Sequence, residues 1–167
     1  MVGIHCFDAE EYYPLVLRKS LMAMVVGSIG SSMFKKLYRK APEGPEDVIE
    51  DGNLSCAFYT SSILALFGLT KQGVHTWVGN TITDMVKSGW ELCDEPGPAR
   101  IVVWEKVGTH FHIGFCLDEK RAVSTYDGDR LPACTLPREH WIIGSLKNTD
   151  GTVRQVKCFY RHPALEA

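Results

Sequence analysis

The chain of 167 residues carries six cysteines and six histidines, and their spacing sorts them by the chemistry each could do. The cysteines are Cys6, Cys56, Cys93, Cys116, Cys134 and Cys158, and the nearest two lie 18 residues apart. No C-x-x-C pair is therefore present for a zinc site or a dithiol redox centre. Most sit among apolar neighbours, as in Phe115-Cys116-Leu117, where a free thiol acts as a small hydrophobe. Three disulfides would suit a small secreted scaffold without a core, which this chain is not. Cys56 differs from the rest. It follows the turn Asp51-Gly-Asn53, and Ser55 is a fair N-cap, so the thiol stands at the first turn of a predicted helix. Unpaired backbone N–H groups and the helix dipole favour an anion there, and the thiol pKa is expected to fall. A thiolate nucleophile needs a base. His112, in Thr109-His-Phe-His-Ile-Gly-Phe115, lies on the strand face opposite Phe111, Ile113, Phe115 and Leu117 and is the candidate.

The remaining histidines compete for roles near this pair. His110 shares the face of His112 and is the rival base, with no third ligand nearby to build a metal site from the two. His75 and Trp77 fall in a polar loop that either lines a cleft or packs on the core with the indole as anchor. His140-Trp141 reads as packing at a strand start.

These side chains must be positioned by elements that the pattern outlines. Tyr12 to Arg39 reads as helix, broken near Gly27 to Gly30, with Lys35-Lys36 and Arg39-Lys40 as its solvated end. Ala41-Pro-Glu-Gly-Pro45 is a connector. Cys56 to Phe67 suits a packed helix stopped by Gly68, and Thr81 to Ser88 a second one ended by Gly89. Arg100 to Glu105, Phe111 to Leu117, Ala122 to Tyr126, Trp141 to Ser145 and Val153 to Tyr160 read as strands, with Asp127-Gly128 and Asp150-Gly151 as turns. Trp90 and Trp104 are expected in the core. Helices followed by an antiparallel sheet give an α+β fold.

Composition limits the function classes. Lys and Arg number 18 against 20 Asp and Glu, a formal charge of −2, so no basic field exists for nucleic acid or an anionic membrane. At 45% hydrophobic the chain can close one core. The uncharged run Leu21 to Phe34 is short for a membrane helix. It follows a start bearing Asp8, Glu10 and Glu11, so a buried helix is expected over a signal peptide. Cysteines read as free thiols in a reduced interior imply a cytoplasmic address, with export by an atypical signal as the alternative.

Four segments in order carry a family resemblance. Asn53-Leu-Ser-Cys-Ala-Phe-Tyr-Thr-Ser-Ser-Ile-Leu-Ala-Leu-Phe-Gly68 looks like the nucleophile helix of the NlpC-type, papain-like cysteine peptidases and amidases. Gly89-Trp90 through Pro96-Gly-Pro-Ala-Arg-Ile-Val-Val-Trp104 resembles that family's Pro-Gly turn and first core strand. His112-Ile-Gly-Phe115 resembles its base-bearing strand, followed by Ala122-Val-Ser-Thr125, where the third polar residue stands, and Phe159-Tyr-Arg161 resembles its last strand. The likeness runs from about residue 50 to 161.

The resemblance implies a papain-like fold, with residues 1–45 a helical extension packed on a core of 46–167, in one globular domain. It implies a thiol hydrolase that cleaves an amide bond through an acyl-enzyme, as in bacterial cell-wall stem peptides. Cys56 is then the nucleophile and His112 the base, and the backbone N–H of Cys56 belongs to the oxyanion hole. No metal or cofactor is required, and the partner is a peptide or amide substrate. Ser55, His75, Trp77 and His110 are the candidate substrate contacts. The third position, usually His, Asn or Gln, falls on Ser124 or Thr125, with Asp127 or a water as further candidates to orient the base. Many members carry Asp before the cysteine and Ser after it, where Ser55 and Ala57 stand here. Two other readings follow: a non-catalytic binding module of the same fold, and a lipid acyltransferase of a related group that uses the uncharged run as a membrane contact.

Overall fold

Strand-forming residues crowd the second half of the chain, and they meet as one twisted antiparallel sheet. The computed structural model describes residues 15–126 and 135–166. Among these the sheet strands are β3 (Glu91–Cys93), β4 (Ile101–Val107), β5 (His110–Cys116), β6 (Arg121–Tyr126), β7 (Leu136–Trp141) and β8 (Val156–Arg161). They lie in the order β3-β8-β4-β5-β6-β7, every neighbour antiparallel. The helices α1 (Leu17–Gly27), α2 (Cys56–Leu66) and α3 (Val78–Lys87) precede the sheet in sequence. The hairpin β1–β2 (Tyr38–Ala41 and Gly44–Asp47) joins α1 to α2. The fold is α+β.

Alternation along β4 and β5 divides the apolar residues between two faces. Ile101, Val103, Ile113, Phe115 and Val123 pack beneath the helices with Leu21, Val25, Tyr59, Ile63, Leu64 and Met85. Val102, Trp104, Cys116 and Ala122 face the other way and are covered by Ile142 and Leu146. Each large apolar side chain so buried contributes about 1.5–3 kcal/mol before the cost of ordering it. The indoles are satisfied inside the core: Trp90 Nε1 donates to Leu69 O at 2.9 Å and Trp104 Nε1 to Ile142 O at 2.8 Å. Helix α1 is tied to α2 by Ser28 Oγ and Tyr59 OH, 2.9 Å apart.

Several sequence expectations need correction. The expected helix over Tyr12 to Arg39 is α1 only, as far as the described residues go, and the basic pairs are not its solvated end. Arg39 lies on β1 and bonds Glu46 across the hairpin at 2.7 Å, while Lys36 reaches Asp47 and Asp51. Cross-strand charge pairing of this kind holds a polar ribbon that has no apolar period to betray it. The strand expected over Trp141 to Ser145 is not formed: Trp141 ends β7, and Ile142 to Ser145 turn away from it, with Gly144 at φ 102°. The short strand β3 was not anticipated. Asp127-Gly128, Cys6 and Cys134 lie outside the described residues.

Candidate active site

A turn builds the platform for Cys56. The Asp47 carboxylate accepts from the backbone N–H groups of Leu37, Ile49 and Asp51. Burial opposes its charge, but these donors and Lys36 hold its pKa down to about 2. Glu50 and Asp51 follow in left-handed backbone conformations, φ 52° and 54°, which non-glycine residues rarely adopt. Ser55 stands at the N-cap position of α2, yet its buried hydroxyl donates to Gly52 O at 2.7 Å instead of capping the helix. It locks the turn and faces no cleft.

Cys56, at the first position of α2, borders a cleft of about 210 Å³. Trp77, Thr109, His110, Phe111, His112 and Arg154 are among its other lining residues. The sheet makes room for the sulfur. Strands β5 and β6 pair at Phe115–Val123 and Cys116–Ala122, then part toward the start of β5. The Ile113 N–H, in that opening, points at Cys56 Sγ together with first-turn N–H groups of α2. The expected fall in the thiol pKa is nevertheless not the net direction. Burial pushes it up, and the amides of Ile113, Ala57 and Cys56 and the Arg154 charge only partly offset this. The residue keeps partial exposure along the cleft while the sulfur itself is densely surrounded.

His112 lies on the face of β5 opposite Ile113, against the Trp104 ring at 5.4 Å between centroids. Its Nε2 is 2.8 Å from Ser124 Oγ. Burial, then the charge of Arg154 and the neighbouring His140, drive its pKa well below the ordinary histidine value, so the ring is neutral at pH 7. Among the described residues no hydrogen bond joins it to Cys56; the two meet across the cleft. Ser124 in turn lies 2.7 Å from His140 Nε2, and His140 Nδ1 lies 3.0 Å from Trp141 O. Gly114 permits this approach, since a Cβ there would stand 2.6 Å from Val123 O and 2.7 Å from Ser124 Cβ.

The candidate third residues thus separate. Ser124 touches His112. Thr125 points to the other face, buried, and its hydroxyl has no hydrogen-bond partner among the described residues. Asp127 lies outside the described residues. Of the expected substrate contacts, Trp77 and His110 line the cleft and stack on each other at 5.3 Å with planes 18° apart. His75 does not join them: its Nε2 meets the buried Asp84 carboxylate at 2.9 Å, which also accepts from the N–H groups of Lys71 and Gln72. That cluster folds the loop preceding α3 and so sets where Trp77 stands. His140 sits at the end of β7, not at a strand start.

Sequence reasoning passed over one residue that lines the cleft, and it read another, which stands behind His112, as packing. Arg154 donates from Nε to Glu105 O and from Nη2 to His110 O, and no carboxylate pairs with it among the described residues. Its guanidinium is the one charged side chain among the described residues of the cleft wall. Nothing in its sequence surroundings marked it, because a cation before a final strand is ordinary. His140 reads in the sequence only as packing at a strand start. A helix-start thiol, a neutral imidazole and a fixed cation facing one cleft can carry out nucleophilic attack with base assistance.

The chain matches no family model, no curated protein and no solved structure.

Proposed function

We propose that the chain is a papain-like thiol hydrolase of the NlpC type that cleaves an amide bond in a peptide. The observation that carries this reading is the meeting of Cys56 and His112 on one cleft, with His112 Nε2 held by Ser124 at 2.8 Å. The substrate carbonyl enters between Trp77 and the start of α2. His112 takes the thiol proton as the sulfur attacks, so the S–C bond forms while the carbonyl electron pair moves onto oxygen. First-turn N–H groups of α2, which have no intrahelical acceptor, face that oxyanion. The same proton passes from His112 to the departing amine, and water, activated by the neutral imidazole, then hydrolyses the thioester. With the thiol pushed up and the imidazole pushed down, the resting pair is uncharged and ionises only as attack begins. Arg154 acts on both halves of that ionisation: its charge favours the thiolate and disfavours the imidazolium.

Hydrolysis of cell-wall stem peptides, followed by amine release, tests the reading. Wild-type protein should cleave a peptide of this class, and Cys56→Ala should lose roughly 10³-fold or more in kcat. Activity that survives in Cys56→Ala would end the proposal.

The buried, protonated thiol favours one second reading, a binding module that has kept the fold and lost the reaction. It is supported if no peptide is cleaved while stem peptides bind in the cleft and Cys56 alkylates no faster than an ordinary thiol.

A further inference from the structure

The face of the sheet away from the helices holds a chain of polar groups in an otherwise apolar layer. Ser124 is fully buried and His140 is 6% exposed. Around them stand the rings of Trp104 and Tyr126, whose centroids lie 5.5 and 5.1 Å from that of His140. Buried polar groups in such a place are costly unless each donor finds an acceptor, and here each does in one direction only.

The direction starts at a backbone carbonyl. Trp141 O has only lone pairs, so His140 Nδ1, 3.0 Å away, must carry the proton. A neutral imidazole protonated at Nδ1 presents a bare lone pair at Nε2. Ser124 Oγ, 2.7 Å from that nitrogen, must then spend its single proton on it. What Ser124 has left is a lone pair, and His112 Nε2, 2.8 Å away, must donate to it. The proton of neutral His112 is thereby fixed on Nε2, and Nδ1 is left as the free base. Nδ1 has no hydrogen-bond partner among the described residues. Burial lowers the pKa of His140, so the neutral ring on which this order depends is the form present at pH 7.

We propose that His140 and Ser124 are positioning residues that set the tautomer of His112, doing by relay what a single carboxamide or carboxylate would do directly. The proposal rests on the Cys56–His112 reading of the cleft and adds a residue to it. No proton travels along the relay during the reaction. The thiol proton goes to His112 Nδ1 as the S–C bond forms, and leaves for the amine nitrogen as the C–N bond breaks. Throughout, Nε2–H keeps donating to Ser124, whose own O–H dipole is aligned by His140. If Ser124 lost its acceptor its hydroxyl could rotate and donate to His112 Nε2 instead. The proton of His112 would then move to Nδ1, where it blocks the base.

Imidazole ¹⁵N spectra of the full chain read this directly, because protonated and bare ring nitrogens resonate far apart. In wild-type protein at pH 7.5, His112 should show Nε2–H with bare Nδ1, and His140 should show Nδ1–H. In His140→Phe the His112 signals should move toward the Nδ1–H form, with kcat for stem-peptide cleavage down about 10- to 100-fold and KM held within about twofold, as expected when a tautomer is lost without loss of binding. His140→Gln, whose side-chain oxygen can accept from Ser124, should restore the Nε2–H form and most of the rate. Ser124→Ala, which removes the acceptor, should disturb the tautomer as His140→Phe does, and it serves as the second variant where the bulkier change unfolds the chain. An Nδ1–H signal for His112 in wild-type protein overturns the relay, as does an unmoved tautomer in folded His140→Phe or Ser124→Ala. The spectra need no substrate. A protein that cleaves nothing yet shows the tautomer shift retires the hydrolase reading and keeps the relay, and a protein that cleaves peptides with an unmoved tautomer does the reverse.

Discussion

At the scale of single residues, the cleft places a cation with no carboxylate partner among the described residues beside a thiol that burial keeps protonated. Arg154 is anchored by two backbone carbonyls and lines the cleft, and among the described residues no carboxylate neutralises its charge. A negatively charged alkylating agent should therefore find Cys56 faster, relative to a neutral one of the same size, than it finds an ordinary thiol. The ratio of iodoacetate to iodoacetamide rates at Cys56 measures this. Arg154→Gln should lower that ratio about three- to tenfold, the effect of roughly 1 kcal/mol of screened Coulomb attraction. It should also shift the thiol titration further upward, because a charge that favours the thiolate has been removed. An unchanged ratio would mean that the guanidinium serves only to brace Glu105 and His110.

At the scale of elements, the site exists because β5 and β6 pair for two residues and then diverge, leaving Cys56 facing an unpaired strand N–H and His112 facing Ser124. Gly114 sits at the divergence, and its missing side chain is what lets Ser124 close on His112. Gly114→Ala would force its Cβ against Val123 O, a backbone atom that cannot swing aside. The cost should be about 1–3 kcal/mol, as for other overpacked core positions, measured by chemical denaturation. The His112–Ser124 contact should lengthen, and peptide cleavage should fall more than stability does. An alanine variant as stable as wild type would show that the strands can part further at no cost. Much of this geometry was legible beforehand. The apolar run after Cys56, the Gly68 stop and the alternation of Phe111, Ile113 and Phe115 state their elements through period and turn chemistry alone. The sequence signal failed where structure rests on pairing between distant segments. Leu136-Pro-Arg-Glu-His-Trp141 carries Pro and two charged residues and has no apolar alternation, yet it forms β7 because β6 offers it a partner. His140 arrives beside Ser124 only through that register, two residues on from Arg138, the residue opposite Ser124. Neither the relay nor Arg154 could be read from spacing, since both depend on which strands become neighbours.

At the scale of the whole molecule, the buried histidines make folding sensitive to acid in a definite window. His112 and His140 are both depressed in the native state by burial. The unfolded chain takes up its protons at the ordinary histidine value near 6.5, so below that pH it binds more protons than the native state and stability falls. Above about pH 6.5 neither state is protonated and this term is flat. The slope below it can reach about 1.4 kcal/mol per pH unit for each histidine. The carboxylates of Asp47 and Asp84, held below their ordinary values, act with the same sign but lower, as pH falls through the carboxylate range. Denaturation midpoints from pH 8 to 5 should therefore be level at first and then drop, with the break near 6.5 rather than near 4. In His140→Gln the drop between pH 6.5 and 5 should be shallower, because one of the two depressed groups is gone. A midpoint that holds or rises on acidification to pH 5 would mean that the native state accepts these protons freely. The two imidazoles would then not be enclosed as the sheet encloses them here, and the neutral His112 on which the proposed cleft chemistry depends would be lost with that enclosure.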